Sequence, residues 1–223
     1  MSNRLKPRGK VRANHRSVTG KFSPGPGKPL IEFESGLEHF FLIYVHLRYP
    51  SVEVKAQPFP LQYSNDSGQL TRYTPDFLVS VPDRAKTVVE IKRRRDLSAI
   101  WTTYRPRLLQ MHAHCREKGW SLRVVTDRFL SEVFVWNIRR LSSALDGPPI
   151  SEGRLEAAME AARSVFQQSE FPTLRTLERS LPIAPSNDHP DTRAMLYLIA
   201  RRRIRIDLRS ARFTADTRIQ SVQ

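Results

Sequence analysis

Tyr73 to Arg95 reads YTPDFLVSVPDRAKTVVEIKRRR, with two short β-branched runs, Phe77–Val81 and Thr87–Lys92, on either side of the turn cluster PDRAK. Runs of this length bounded by Pro and Asp predict paired strands. Side chains alternate along a strand, so Val89 and Ile91 share one face while Glu90 and Lys92 share the other. Asp76 stands at the start of the first run, and a hairpin brings it near Glu90. Two converging carboxylates suit a hard cation such as Mg²⁺, which takes oxygen ligands and retains waters. A lysine beside them can orient or help deprotonate an attacking water and offset charge on a pentavalent phosphorus. A Pro-Asp turn followed by Glu-x-Lys on a solvated strand is also an ordinary surface pattern, and alone it carries little information.

The surrounding chain supplies context. FESGLEHFFLIYVHLRYP places Leu37, Phe40, Phe41, Tyr44, Val45 and Leu47 at helical spacing and stops at Pro50. VEVKAQPFPLQY reads as extended, broken at Pro58 and Pro60, and the turn cluster SNDSGQ joins it to a further extended segment. DLSAIWTTYRPRLLQMHAHCREKG predicts a helix disturbed at Pro106 and ending at Gly119. WSLRVVT is the next strand, and DRFLSEVFVWNIRRLSSAL continues as one or two helices with Asp127 as N-cap. This order describes an α/β fold, a mixed sheet flanked by helices. DGPPIS (146–151) is the clearest linker. Three helical stretches and a short hairpin, IRIDL…TRIQSV, follow it and predict a winged helix-turn-helix. The expected division is a basic flexible arm (1–30), a sheet domain (31–146) and a winged-helix-like C-terminal domain (147–223).

Charge narrows the partners. Thirty-seven Lys and Arg against 22 Asp and Glu give +15, with a pI near 10.7, which favours a polyanion such as nucleic acid. Over half of that excess lies in residues 1–30, which carry Arg4, Lys6, Arg8, Lys10, Arg12, Arg16, Lys21 and Lys28 and no acid. This stretch is rich in Gly, Pro and Ser and reads either as a phosphate-binding arm or as a solubility tail. Arg93, Arg94 and Arg95 directly follow Lys92 and could grip phosphate beside it, or simply mark a solvated strand exit. The single Cys115 forms no internal disulfide and fits a reducing cytoplasm. No apolar run or leader suggests a membrane or secretion. His112 and His114 lie about 200° apart on a helix and do not chelate together. Trp101, Trp120 and Trp136 are expected in the core.

The spacing Pro-Asp76, fourteen residues to Glu90, then x-Lys92 resembles the PD-(D/E)xK nuclease superfamily. The wider stretch ESGLEHFFLIYVHLRYPSVEVKAQPFPLQY…RYTPDFLVSV…TVVEIKRRRDL…CREKGWSLRVVTDRFL, about residues 30–145, resembles the N-terminal domain of TnsA-type endonucleases. LYLIARRRIRIDL…FTADTRI is similar, more loosely, to their C-terminal winged-helix regions. These resemblances imply a restriction-endonuclease-like fold. They imply Mg²⁺-dependent cutting of double-stranded DNA at the 5′ ends of a transposon, with Mn²⁺ able to substitute. The implied partners are a TnsB-like DDE transposase and a TnsC-like AAA+ ATPase, with no membrane, in a bacterial cytoplasm and on the nucleoid when DNA is bound. Asp76 and Glu90 would be metal ligands and Lys92 the catalytic lysine. Glu38 would be the helical acid and a further ligand, and the Ile91 carbonyl could join them. Some members carry Gln at the Glu90 place. Glu34 competes with Glu38, since the two lie at i and i+4 on one helix face. A stand-alone nuclease of restriction or resolvase type, and a non-catalytic DNA-binding scaffold, remain as alternatives.

Overall fold

The computed structural model describes residues 18–25, 27–65, 67–146, 149–182 and 192–222. Arg4, Lys6, Arg8, Lys10, Arg12 and Arg16 of the arm, and Gly147 and Pro148 of the expected linker, lie outside the described residues. Contacts divide the chain into two compact units, one ending at Leu130 and the other beginning at Ser131.

In the first unit, β1 (Gly20–Phe22) pairs antiparallel with β2 (Ile31–Phe33), so the expected arm ends in paired chain rather than running free to residue 30. Helix α1 (Gly36–Arg48) starts at Ser35, whose hydroxyl accepts the Glu38 N–H. It buries Phe41, Leu42, Ile43, Val45 and Leu47. Strands β3 (Glu53–Ala56), β6 (Phe77–Ser80), β7 (Thr87–Ile91) and β8 (Ser121–Val125) form a sheet in the order β3-β6-β7-β8. The first two pairings are antiparallel and β7–β8 is parallel. A parallel pair needs a crossover, here supplied by α2 (Arg94–Ala99) and α3 (Trp101–Glu117). β4 (Leu61–Ser64) and β5 (Leu70–Tyr73) make a separate hairpin. β7 is central, and Val88, Val89, Glu90 and Ile91 are all buried. On one face Val88 packs with Leu61, Met111 and Cys115. On the other, Phe77, register partner of Val89, stacks on Phe41 of α1 at 5.8 Å. The mixed, helix-flanked sheet fits a restriction-endonuclease-like fold.

Three local expectations need correction. The helical stretch after Arg93 breaks at Ile100, while Pro106 lies inside α3. Trp101, at that break, is 51% exposed rather than core. Asp127 does not cap the next helix, because α4 (Glu132–Ser143) starts at Ser131, whose hydroxyl accepts the Phe134 N–H at 3.3 Å. Asp127 instead takes the Arg94 N–H at 2.9 Å and closes the start of α2. α3 does end as the sequence suggests. Gly119 adopts φ +65°, and the Trp120 N–H reaches the Cys115 carbonyl at 2.8 Å, the paired closure that a left-handed residue permits.

The second unit contains α4, α5 (Glu152–Gln168), α6 (Leu174–Ser180), α7 (Thr192–Ala200) and a short antiparallel pair, β9 (Ile204–Arg205) with β10 (Gln220–Ser221). The division falls before α4, not at 146/147. The reason is Asn137, fully buried on α4. Its amide donates to the Leu208 and Ala211 carbonyls at 2.9 Å each, and its oxygen accepts the Phe213 N–H at 3.0 Å. α6 begins with a reciprocal Thr173–Thr176 cap, and its first N–H groups bond to Thr217 and Ala215. Among the described residues, no helix is long and apolar enough to cross a membrane.

Candidate active site

The end of β7 gathers the residues singled out in the sequence. Asp76, just ahead of β6, accepts the Ile91 N–H on Oδ2 at 2.6 Å. Lys92 Nζ stands 2.7 Å from Glu90 Oε1 and 3.6 Å from Asp76 Oδ2, bridging the two carboxylates, and donates to the Ile91 carbonyl at 3.2 Å. The Lys92 N–H bonds to the Val125 carbonyl at 3.1 Å, extending the β7–β8 ladder by one residue. The lysine is thereby fixed at the sheet end.

Burial sets the electrostatics. Glu90 is fully buried, with Lys92 Nζ 2.7 Å from its Oε1 and the Tyr73 and Tyr104 hydroxyls within reach of its carboxylate. Burial, then the Glu90 charge, raise the Asp76 carboxyl to about 8, against the opposing pull of Lys92 and the Ile91 N–H. Burial alone would depress Lys92, but Asp76, Glu90 and Glu38 outweigh it and hold the ammonium above its ordinary value. Lys92 is therefore a cation in this arrangement.

Glu38 lies close enough for its charge to act on both Asp76 and Lys92. Both its oxygens are used locally. Oε2 accepts the Glu34 N–H and Oε1 the Ser35 hydroxyl, each at 2.8 Å, which ties the third helical position to the two residues before the helix. Burial, above all, raises its carboxyl. Glu34 points elsewhere and accepts from the Gln57 side-chain amide at 2.8 Å.

A cation fits this donor set. Asp76, Glu90 and the Ile91 carbonyl present hard oxygens, and the Lys92 ammonium already occupies the point between the carboxylates. Among the described residues, no three His, Cys, Asp or Glu side chains form a ready-made metal cluster.

Residues 51–127 match the family model described as TnsA-like endonuclease, N-terminal. This part of the chain is similar to the N-terminal domain of TnsA-like endonucleases. No curated protein shows a significant match to the chain. The match covers about a third of the sequence, taking in β3 to β8 and with them Asp76, Glu90 and Lys92. The matched family is one of Tn7 TnsA-like endonucleases. Glu38 lies ahead of the matched part of the TnsA-like domain.

Three contributors to the site were not read from the sequence. Tyr73 and Tyr104 carry buried hydroxyls within reach of the Glu90 carboxylate. Burial first, and then the Glu90 and Asp76 charges, hold both well above the ordinary phenol value. Gln57 adopts φ 45°, unusual for a residue with a side chain, while its N–H bonds the Asp76 carbonyl at 2.9 Å. Its position before Pro58 signals a non-helical backbone, but not this conformation. Of the cations, Lys21 pairs with Glu32 at 3.6 Å on the β1–β2 ladder. Arg93, Arg94 and Arg95 are exposed.

Proposed function

We propose that the protein is a metal-dependent endonuclease that cuts the 5′ ends of a transposon, working with a TnsB-like DDE transposase and a TnsC-like AAA+ ATPase. The single observation that carries this reading is the convergence of Asp76, Glu90 and Lys92 at the end of β7, within the TnsA-like segment. Asp76, Glu90 and the Ile91 carbonyl would hold Mg²⁺, or Mn²⁺ in its place, with Glu38 as the neighbouring helical acid. Such an ion, when bound, supplies Lewis-acid polarisation of a phosphate and a lowered pKa for water. The chain's own residues do the rest. Lys92, kept protonated, orients the attacking water and offsets the negative charge that grows at phosphorus. The Ile91 N–H fixes the Asp76 carboxylate. Water attacks in line, the bond from phosphorus to the 3′ oxygen breaks, and that oxygen takes up a proton and leaves as a 3′-hydroxyl. Arg93, Arg94, Arg95 and the arm cations would hold the flanking phosphates. The helices and terminal strand pair of the second unit would serve as a winged-helix-like docking module.

Asp76→Ala and Lys92→Ala are each expected to reduce 5′-end cutting at least about a hundredfold in a reconstituted transposition reaction, while 3′-end joining persists. Cutting that survives both changes would overturn the site assignment. Nicking of plasmid by the chain alone would favour a stand-alone nuclease. Absence of cutting in every mixture would favour a DNA-binding scaffold.

A further inference from the structure

α2 buries none of its side chains. A helix with only Leu97 half-buried lacks the broad apolar stripe that usually anchors one, and this one is held at its start by the Asp127 carboxylate. What it presents to solvent is charge. Arg93, Arg94 and Arg95 are all exposed and follow Lys92 without interruption. At the other end the chain turns at Ile100 into α3. Ile100 and Trp101 are exposed there, with Arg105 exposed one turn further on. The acids at this surface are Asp96, 3.4 Å from Arg95, and Asp127, on the Arg94 N–H, against four exposed arginines. An exposed indole on a segment with arginines before and after it has the chemistry of a polyanion grip with an apolar contact. Six helical residues rise about 9 Å. With the two residues at each end of α2, Trp101 lies at most about 23 Å from Lys92, within about seven nucleotide steps of about 3.4 Å along a strand.

We propose that the α2–α3 corner is a grip on duplex DNA flanking the cut, in which the arginines neutralise phosphates and Trp101, with Ile100, packs against a sugar face or an opened base step. The location of the cut rests on the nuclease reading above, but the grip itself is measured separately. The full chain is titrated with a labelled duplex in chelator across a range of salt, beside the variants Trp101→Ala, Trp101→Phe, Arg95→Ala and Arg105→Ala. Trp101→Ala should weaken binding about tenfold with an unchanged salt slope, and Trp101→Phe should keep most of the affinity. Each arginine change should lower the slope of log affinity against log salt by about one. Trp101 is exposed, so unaltered melting of Trp101→Ala is expected and serves as the folding control. Wild-type affinity in Trp101→Ala, or no duplex binding by the wild type, would overturn the proposal. So would a Trp101→Ala loss seen only when the transposase or ATPase is added, which would make this a protein-docking face. A grip that survives while no mixture cuts DNA would leave the proposal standing and sink the nuclease reading.

Discussion

Opposing influences meet on the Asp76 carboxyl. Burial and the Glu90 charge favour its neutral form, while Lys92 and the Ile91 N–H favour its ionised form, and the balance lies at about 8 against an ordinary 3.8. A carboxyl raised by folding contributes stability that is complete below its unfolded value and lost as pH rises through its folded value. The metal-free protein should therefore lose thermal stability between about pH 4 and pH 8. Asp76→Asn should flatten this slope, and Mg²⁺ should restore stability at the alkaline end by binding the folded form. Melting curves across pH decide it, and equal slopes for wild type and Asp76→Asn would remove Asp76 as the cause. Glu38 poses a different question, because it caps a helix and also acts on the site. Gln keeps the shape and one of the two acceptors, so Glu38→Gln should cost about 1 kcal/mol or less. If Glu38 is the helical acid, cutting should nonetheless fall at least about tenfold. Unchanged cutting would leave it a cap alone.

Among the elements, α1 and α2 show how differently helices are held. α1 is written locally, with a Ser35 cap, a Glu at the third position and a broad buried face ending before Pro50. α2 has neither a side-chain cap of its own nor any buried residue, and depends on a carboxylate from the loop after β8. Asp127→Ala should cost about 1 kcal/mol. It should raise amide exchange in residues 94–99 while leaving α3 protected, and unchanged exchange there would show that the contact does not hold the helix. The contrast explains why the α1 boundaries were legible and the break at Ile100 was not. Pro106 is the visible disturbance, but a proline near a helix start loses little. The turn at Ile100 follows from carrying the chain from the end of β7 onto the sheet face, which no local signal encodes.

For the molecule as a whole, the division at Leu130/Ser131 makes a prediction about fragments. Residues 131–223 keep α4 and the three Asn137 hydrogen bonds, whereas 147–223 lose them. The longer fragment should unfold cooperatively and the shorter should not, as followed by circular dichroism. A cooperative 147–223 would restore the sequence-based boundary. In the full chain, Asn137→Ala should cost about 3 kcal/mol, since it strands buried backbone groups. Sequence by itself determined the strands around the site, their alternation, the placement of Glu90 and Lys92 on one strand face, and the cationic excess, because each arises from local period or simple composition. Tertiary structure decided which carboxylates meet and how their ionisation shifts. It also decided that Asp127 closes α2 rather than α4, that Trp101 faces solvent, and that α4 belongs with the C-terminal unit. All of these depend on contacts between residues far apart in the chain, whose partners are chosen by packing and burial rather than by neighbouring residues.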